Sequence, residues 1–168
     1  MNKFLKYGMV LATVFFSCQL SAQEGKLSDI FRHMPDSLMP YLTGNNRLDF
    51  IDFLDSNMKA EVRNSLGGQS EMTSLADDSL TIRMNESLHC DLLLLTLAEP
   101  IDSVTDVVVI VETFMVDSIY GESTVKYFTT SWQPLQQMPP LSEAQQKRIQ
   151  RHILQNIVKR KEELLKER

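Results

Sequence analysis

The sequence predicts an α+β domain with N-terminal helices, an antiparallel β-sheet of about four or more strands and a long C-terminal helix. Three observations lead there. Strand-like segments between residues 80 and 132 follow one another with no long helix between them, and parallel pairing would need such crossovers. Helical apolar spacing is confined to the regions on either side. Glycine and proline clusters separate these regions from one another.

Beyond residue 22, Leu27, Ile30, Phe31, Met34, Leu38, Met39 and Leu42 make an apolar start, and Pro35 and Pro40 hold it to short turns of helix. Gly44-Asn45-Asn46 breaks that segment. A helix is expected from Asn46, which can cap it, with Asp49 at the favourable third position. Leu48, Ile51, Asp55, Met58, Val62 and Leu66 keep helical spacing, broken only by Asp55, and Gly67-Gly68 is the expected stop.

Asp77-Asp78-Ser79 reads as a turn. Leu80, Ile82 and Met84 then alternate with Thr81, Arg83 and Asn85 as a first, half-exposed strand. Leu88–Leu97 is a second strand. Val104–Val116 is a third, apolar on both faces and therefore central. Val125–Trp132 is a fourth, rich in aromatic and β-branched residues, joined to the third by a loop around Tyr120-Gly121-Glu122. Met138-Pro139-Pro140 closes the region. Ser142, with Gln145 completing a capping box, opens the last helix, whose apolar stripe is Ile149, Ile153, Ile157 and Leu164.

The first residues read as a targeting signal. Lys3 and Lys6 precede an apolar run from Met9 to Phe16, and the small residues Ser21 and Ala22 follow. The expected division is a signal peptide over 1–22, an α+β body over 23–141 and an amphipathic helix over 142–168. The apolar run is too short to span a bilayer, which takes about 20 residues, so the mature chain has no transmembrane segment. The expected location is exported, periplasmic or outer-membrane-associated. Cys18 marks an alternative, a lipid-attachment site, but Phe15 and Phe16 fit poorly before such a site and cleavage after Ala22 is preferred. Cys90 is then the one cysteine left, so the fold makes no internal disulfide.

Charge is unevenly placed. Residues 23–141 carry net −11 and residues 142–168 net +4. An acidic body argues against a nucleic-acid partner. A protein partner bound through the C-terminal helix remains open, because an apolar stripe of this length must be covered.

Few residues suggest chemistry. His89 and Cys90 are neighbours and point to opposite faces of a strand, which opposes a nucleophile-and-base pair, and Cys90 shares its face with Leu88, Leu92 and Leu94. His89 and Asp91 do share a face, but no further cluster stands nearby to complete a metal site. His33 and His152 are isolated in sequence. Asp49, Asp52 and Asp55 read as the polar side of a helix rather than a cation site. Trp132 reads as a plug at a strand end, with a ligand platform as the alternative. No phosphate-cradling loop, calcium loop, zinc-protease helix or serine-hydrolase elbow is present, and no cofactor is expected.

One short pattern exceeds chance. Asp-Ser-aliphatic occurs at Ser37, Ser79, Ser103 and Ser118, where ordinary frequencies give about one occurrence. It resembles the acceptor site of the O-glycosylation system acting on exported proteins in Bacteroidetes. Turn chemistry explains it equally well, since Asp-Ser pairs favour turns and caps.

The stretches MPDSLMPYL (34–42), NNRLDFIDFLDS (45–56), LGGQSEM (66–72) and DDSLTIRMNES (77–87) resemble an exported Bacteroidales family, domain-of-unknown-function family 3256. The resemblance covers most of residues 27–135. It implies export and a single domain, and it carries no assigned activity or catalytic residues. The leading expectation is a non-catalytic exported binding or envelope-assembly accessory protein. The alternative is an envelope hydrolase whose active site has no recognised motif.

Overall fold

The structure, a computed structural model, describes residues 26–116 and 119–166. Residues 1–22, and with them the expected signal peptide and Cys18, lie outside the described residues, as does Ser118.

Among the described residues, three α-helices and six strands follow in order. They are α1 (Lys26–Arg32), α2 (Gly44–Asp55), β1 (Glu61–Arg63), β2 (Gln69–Ala76), β3 (Ser79–Asn85), β4 (Leu88–Ile101), β5 (Val104–Val116), β6 (Ile119–Thr129) and α3 (Glu143–Lys166). A 3-10 turn at Asp36–Leu38 links α1 to α2. The strands form one antiparallel sheet in sequential order, a six-stranded meander. The α+β expectation holds, with two more strands than the sequence reading named.

The difference begins in α2. Its cap is Thr43, not Asn46: Thr43 Oγ1 accepts from the Asn46 amide at 3.2 Å, and Asn46 Oδ1 accepts from the Thr43 amide at 3.1 Å. The helix ends at Asp55, well before Gly67. Met58 N donates to Phe53 O at 2.8 Å and Asn57 N to Leu54 O at 2.9 Å. This is the bonding of a helix stop with a left-handed residue, and Asn57 has φ +54°. The helical spacing of Met58, Val62 and Leu66 beyond it is coincidental. Val62 lies in β1, and Gly67, with φ +83°, belongs to the turn into β2.

Each face of the sheet is covered over part of its width. Leu80, Ile82, Met84, Leu88, Cys90, Leu92, Leu94, Val108 and Ile110 point to one side, where they bury Leu27, Phe31, Leu42, Phe50 and Ile51 of the N-terminal region. Leu93, Leu95, Leu97, Val107, Val109 and Val111 point to the other, where they meet Leu141, Ile149 and Ile153. Strands covered on both faces read as continuous apolar runs. Leu88–Leu95 and Val107–Val111 are accordingly buried at every position.

The chain changes sides at Trp132. That residue has φ +64°, and after it Thr129 N bonds Gln133 O at 2.9 Å and Leu135 N bonds Tyr127 O at 2.9 Å. The segment thus runs back along the β6 edge. Trp132 packs in the first core, whereas Leu135 and Leu141 join the second, so this strap delivers α3 to the face opposite α1 and α2. Tyr120-Gly121-Glu122, expected as a loop, lies inside β6: Met115 pairs with Tyr120 and Phe114 with Glu122 across a register shift.

Candidate functional site

Among the described residues, the face under α3 carries four buried polar residues, His89, Asp91, Thr113 and Asn156. Register places Thr81 opposite Asp91 and Asp91 opposite Val111, with His89 opposite Thr113 one row along. The expected sharing of a face by His89 and Asp91 is seen, and both are buried, at 2 % and 1 % exposure. The Asp91 carboxylate accepts from Thr81 Oγ1 at 2.6 Å and from Asn156 Nδ2 at 2.5 Å, and His152 Nδ1 lies 3.2 Å from Asp91 Oδ1. A buried carboxylate is tolerable only when its lone pairs are satisfied. Here α3 supplies two of the partners.

His152, isolated in sequence, is therefore drawn into the polar centre of the molecule, and Asn156 with it. Two signals were available. Asp91 is the one acidic residue in the mostly apolar run LHCDLLLLTL, so it needed partners. Asn156 stands at helical spacing from Ile149 and Ile153, on the face that packs inward.

A depression of about 170 Å³ opens beside this centre, where α3 stops short of β3. It is lined by Ser79, Arg148, Arg151, His152 and Gln155. The four helical residues recur three and four apart, so they form one stripe along α3. Arg148 Nη2 donates to Asp78 Oδ1 at 2.8 Å and to the Asp78 carbonyl at 3.2 Å. Gln145 Nε2 donates to Thr96 O at 2.8 Å and fixes the first turn of the helix.

The other candidate residues are dispersed. Cys90 is 3 % exposed on the opposite face, and burial pushes its thiol well above the ordinary value, with Glu112 and Asp91 adding to the shift. A neutral buried thiol is a poor nucleophile. Asp49, Asp52 and Asp55 are exposed along α2. Trp132 is 6 % exposed, donates through Nε1 to Ile30 O at 3.0 Å and packs against Phe128. His33 is exposed, with Nδ1 at 2.8 Å from Asp29 O. Among the described residues, no group of three His, Cys, Asp or Glu side chains is placed to hold a metal ion, and no helix is long and apolar enough to cross a membrane.

The acceptor-like serines fall at different depths. Ser37 is exposed in the 3-10 turn. Ser103 is exposed at the tip of the β4–β5 hairpin, where Asp102 and Ser103 have φ +46° and +70°. Ser79, half-buried, opens β3 and lines the depression.

The family model described as protein of unknown function, DUF3256, matches residues 17–165, and so takes in α3 as well as the body. No curated protein matches the chain. A solved domain of an uncharacterised protein from Porphyromonas gingivalis W83 is similar in fold. It has 22 % sequence identity and a TM-score of 0.53 over 72 % of this chain and 65 % of that one. The chain thus spans just under two thirds of that domain.

Proposed function

The chain belongs to the DUF3256 family of proteins of unknown function, and from that premise we infer that it is an exported, non-catalytic binding or envelope-assembly accessory protein that binds along the flank of α3. The observation that carries this reading is the depression between α3 and β3, a concave polar surface whose walls are anchored by the buried Asp91 network. The charged and apolar order of residues 1–22 supports export.

The test is crosslinking in intact envelopes. Wild-type protein is expected to give discrete crosslinked species that disappear in Arg151→Glu, a substitution at an exposed position that leaves the core untouched. A folded Arg151→Glu variant that keeps every crosslink would remove the α3 flank as the binding surface. Mass spectrometry of the same material reports the mature N-terminus. A chain beginning at Gln23 is expected, a lipid on Cys18 selects an anchored form, and an intact Met1 on cytoplasmic protein rules out export. The same spectra report glycosylation, for which exposed Ser37 and Ser103 are better placed than half-buried Ser79. A bare polypeptide mass from the native host would remove the sugar.

One observation favours a second reading, an envelope hydrolase. His152 is oriented by buried Asp91 and shares the depression with Ser79, the residue types of acyl transfer. Among the described residues no hydrogen bond joins Ser79 to His152, which places this reading second. Ester hydrolysis lost in Ser79→Ala would reverse the order.

A further inference from the structure

The lining of the depression has an unusual chemical bias. Ser79, Arg148, Arg151 and Gln155 can each donate a hydrogen bond, and none of the five lining residues, His152 included, is a carboxylate or an apolar side chain. This occurs in a chain whose residues 23–141 carry net −11. No Phe, Tyr or Trp ring lines the hollow, so a nucleobase or the apolar face of a sugar would find only the small imidazole of His152 to stack on. Its volume of about 170 Å³ also falls below the roughly 300–1,000 Å³ typical of pockets that enclose whole drug-sized ligands. The hollow suits a small, compact group rich in acceptors.

Three of the five lining side chains are held in place. Arg148 is fixed to Asp78 through Nη2 alone, and its side chain is 25 % exposed. His152 is held at Nδ1 by Asp91, itself 1 % exposed and bonded to Thr81 and Asn156. Ser79 is part of β3, paired with Leu93. Pre-positioned donors lose little freedom on binding. Guanidinium groups in particular match tetrahedral oxyanions through paired N–H groups.

We propose, as a specification of the binding reading given above, that this depression binds a phosphate-class tetrahedral oxyanion, either as a free ion or as the terminal group of a small phosphomonoester. Asp78 offsets part of the charge of Arg148, and the buried Asp91 carboxylate lies behind His152. Arg151, for which no ion pair is present among the described residues, supplies the uncompensated positive charge. The offset limits affinity, and the dissociation constant is on the order of 1 mM.

The experiment uses the isotope-labelled mature protein, titrated by NMR at constant ionic strength with inorganic phosphate, sulfate, glycerol 3-phosphate and, as control, chloride. Saturable shifts are expected at Ser79, Arg148, Arg151, His152 and Gln155 with the oxyanions and not with chloride. Arg151→Ala should weaken binding by about tenfold, and Arg151→Lys should restore only part of it, because an ammonium keeps the charge without the planar fork. Tighter binding of glycerol 3-phosphate than of phosphate identifies a phosphomonoester, and equal binding a free oxyanion. Shifts that do not saturate, that chloride reproduces, or that Arg151→Ala leaves unchanged would overturn the site. If those negative results accompany envelope crosslinks that still depend on Arg151, the ligand class fails while the binding reading stands. Oxyanion binding without Arg151-dependent crosslinks supports the site and removes its role in protein docking.

Discussion

His89, Cys90 and Asp91 are consecutive, yet they serve different layers of the molecule. The alternation of a strand was enough to separate Cys90 from its neighbours in the sequence, because the rule is purely local. The partners of Asp91 were not legible in the same way. Thr81 is ten residues away and is brought opposite by the β3–β4 register, whereas His152 and Asn156 are 61 and 65 residues away, so only the packing of α3 on the sheet brings them in. Cys90 allows a test at this scale. Its folded thiol titrates above its ordinary value of 9.0, chiefly because burial opposes the thiolate. The unfolded chain therefore loses this proton at lower pH than the folded one. The resulting contribution to stability is intact below about pH 9 and declines above it, by at most about 1.4 kcal/mol per pH unit. Denaturant titrations from pH 7 to pH 10 should show a steeper loss for wild type than for Cys90→Ala. Cys90→Ala itself should cost about 1–2 kcal/mol at pH 7 through the smaller core side chain. Parallel pH profiles for the two proteins would contradict the assignment.

At the scale of elements, β3, β4 and β5 were legible because their apolar runs match their burial, and α3 because a capping box precedes its stripe. β1 and β2 were not. β2 reads QSEMTSLA, and only Ser70 and Met72 are buried in it, since α1 and α2 pack on one of its faces whereas α3 packs on β4, β5 and β6. β1 has three residues, and its single apolar residue, Val62, fell by chance on a helical period. The end of α2 was missed for a related reason: its stop is a left-handed Asn57 rather than a glycine. In α3 the stripe and its flank lie in different environments. Ile149 is 7 % exposed against the sheet, whereas Leu154, set alongside the stripe, is 50 % exposed. Ile149→Ala should therefore cost about 2–4 kcal/mol in urea unfolding, and Leu154→Ala less than about 0.5 kcal/mol. Equal losses would mean that α3 does not dock through this face. A chain ending at Val158 should keep the fold, because Ile149, Ile153 and Asn156 are all retained. A chain ending before Ser142 should become insoluble, because Val107, Val109 and Val111 lose their cover.

At the scale of the whole molecule, the two apolar cores lie on opposite faces of one sheet and share β4 and β5. Leu92 and Leu94 belong to the first core, and Leu93 and Leu95, their immediate neighbours, to the second. Neither layer can melt without uncovering strands that the other layer needs, so the two should unfold together despite their separation in sequence. Trp132 provides a probe of one side, since its ring packs with Phe128 and its Nε1 bonds Ile30 O at the end of α1. Its fluorescence reports the N-terminal layer, while far-ultraviolet circular dichroism near 222 nm is weighted toward α3, the longest helix. Urea unfolding followed by the two signals should give coincident curves with one midpoint and one slope. Ile149→Ala should shift both curves equally, although Trp132 is on the opposite face. If the tryptophan transition stayed in place while the dichroism moved, the sheet would not couple the two cores, and α3 would be an independently melting layer.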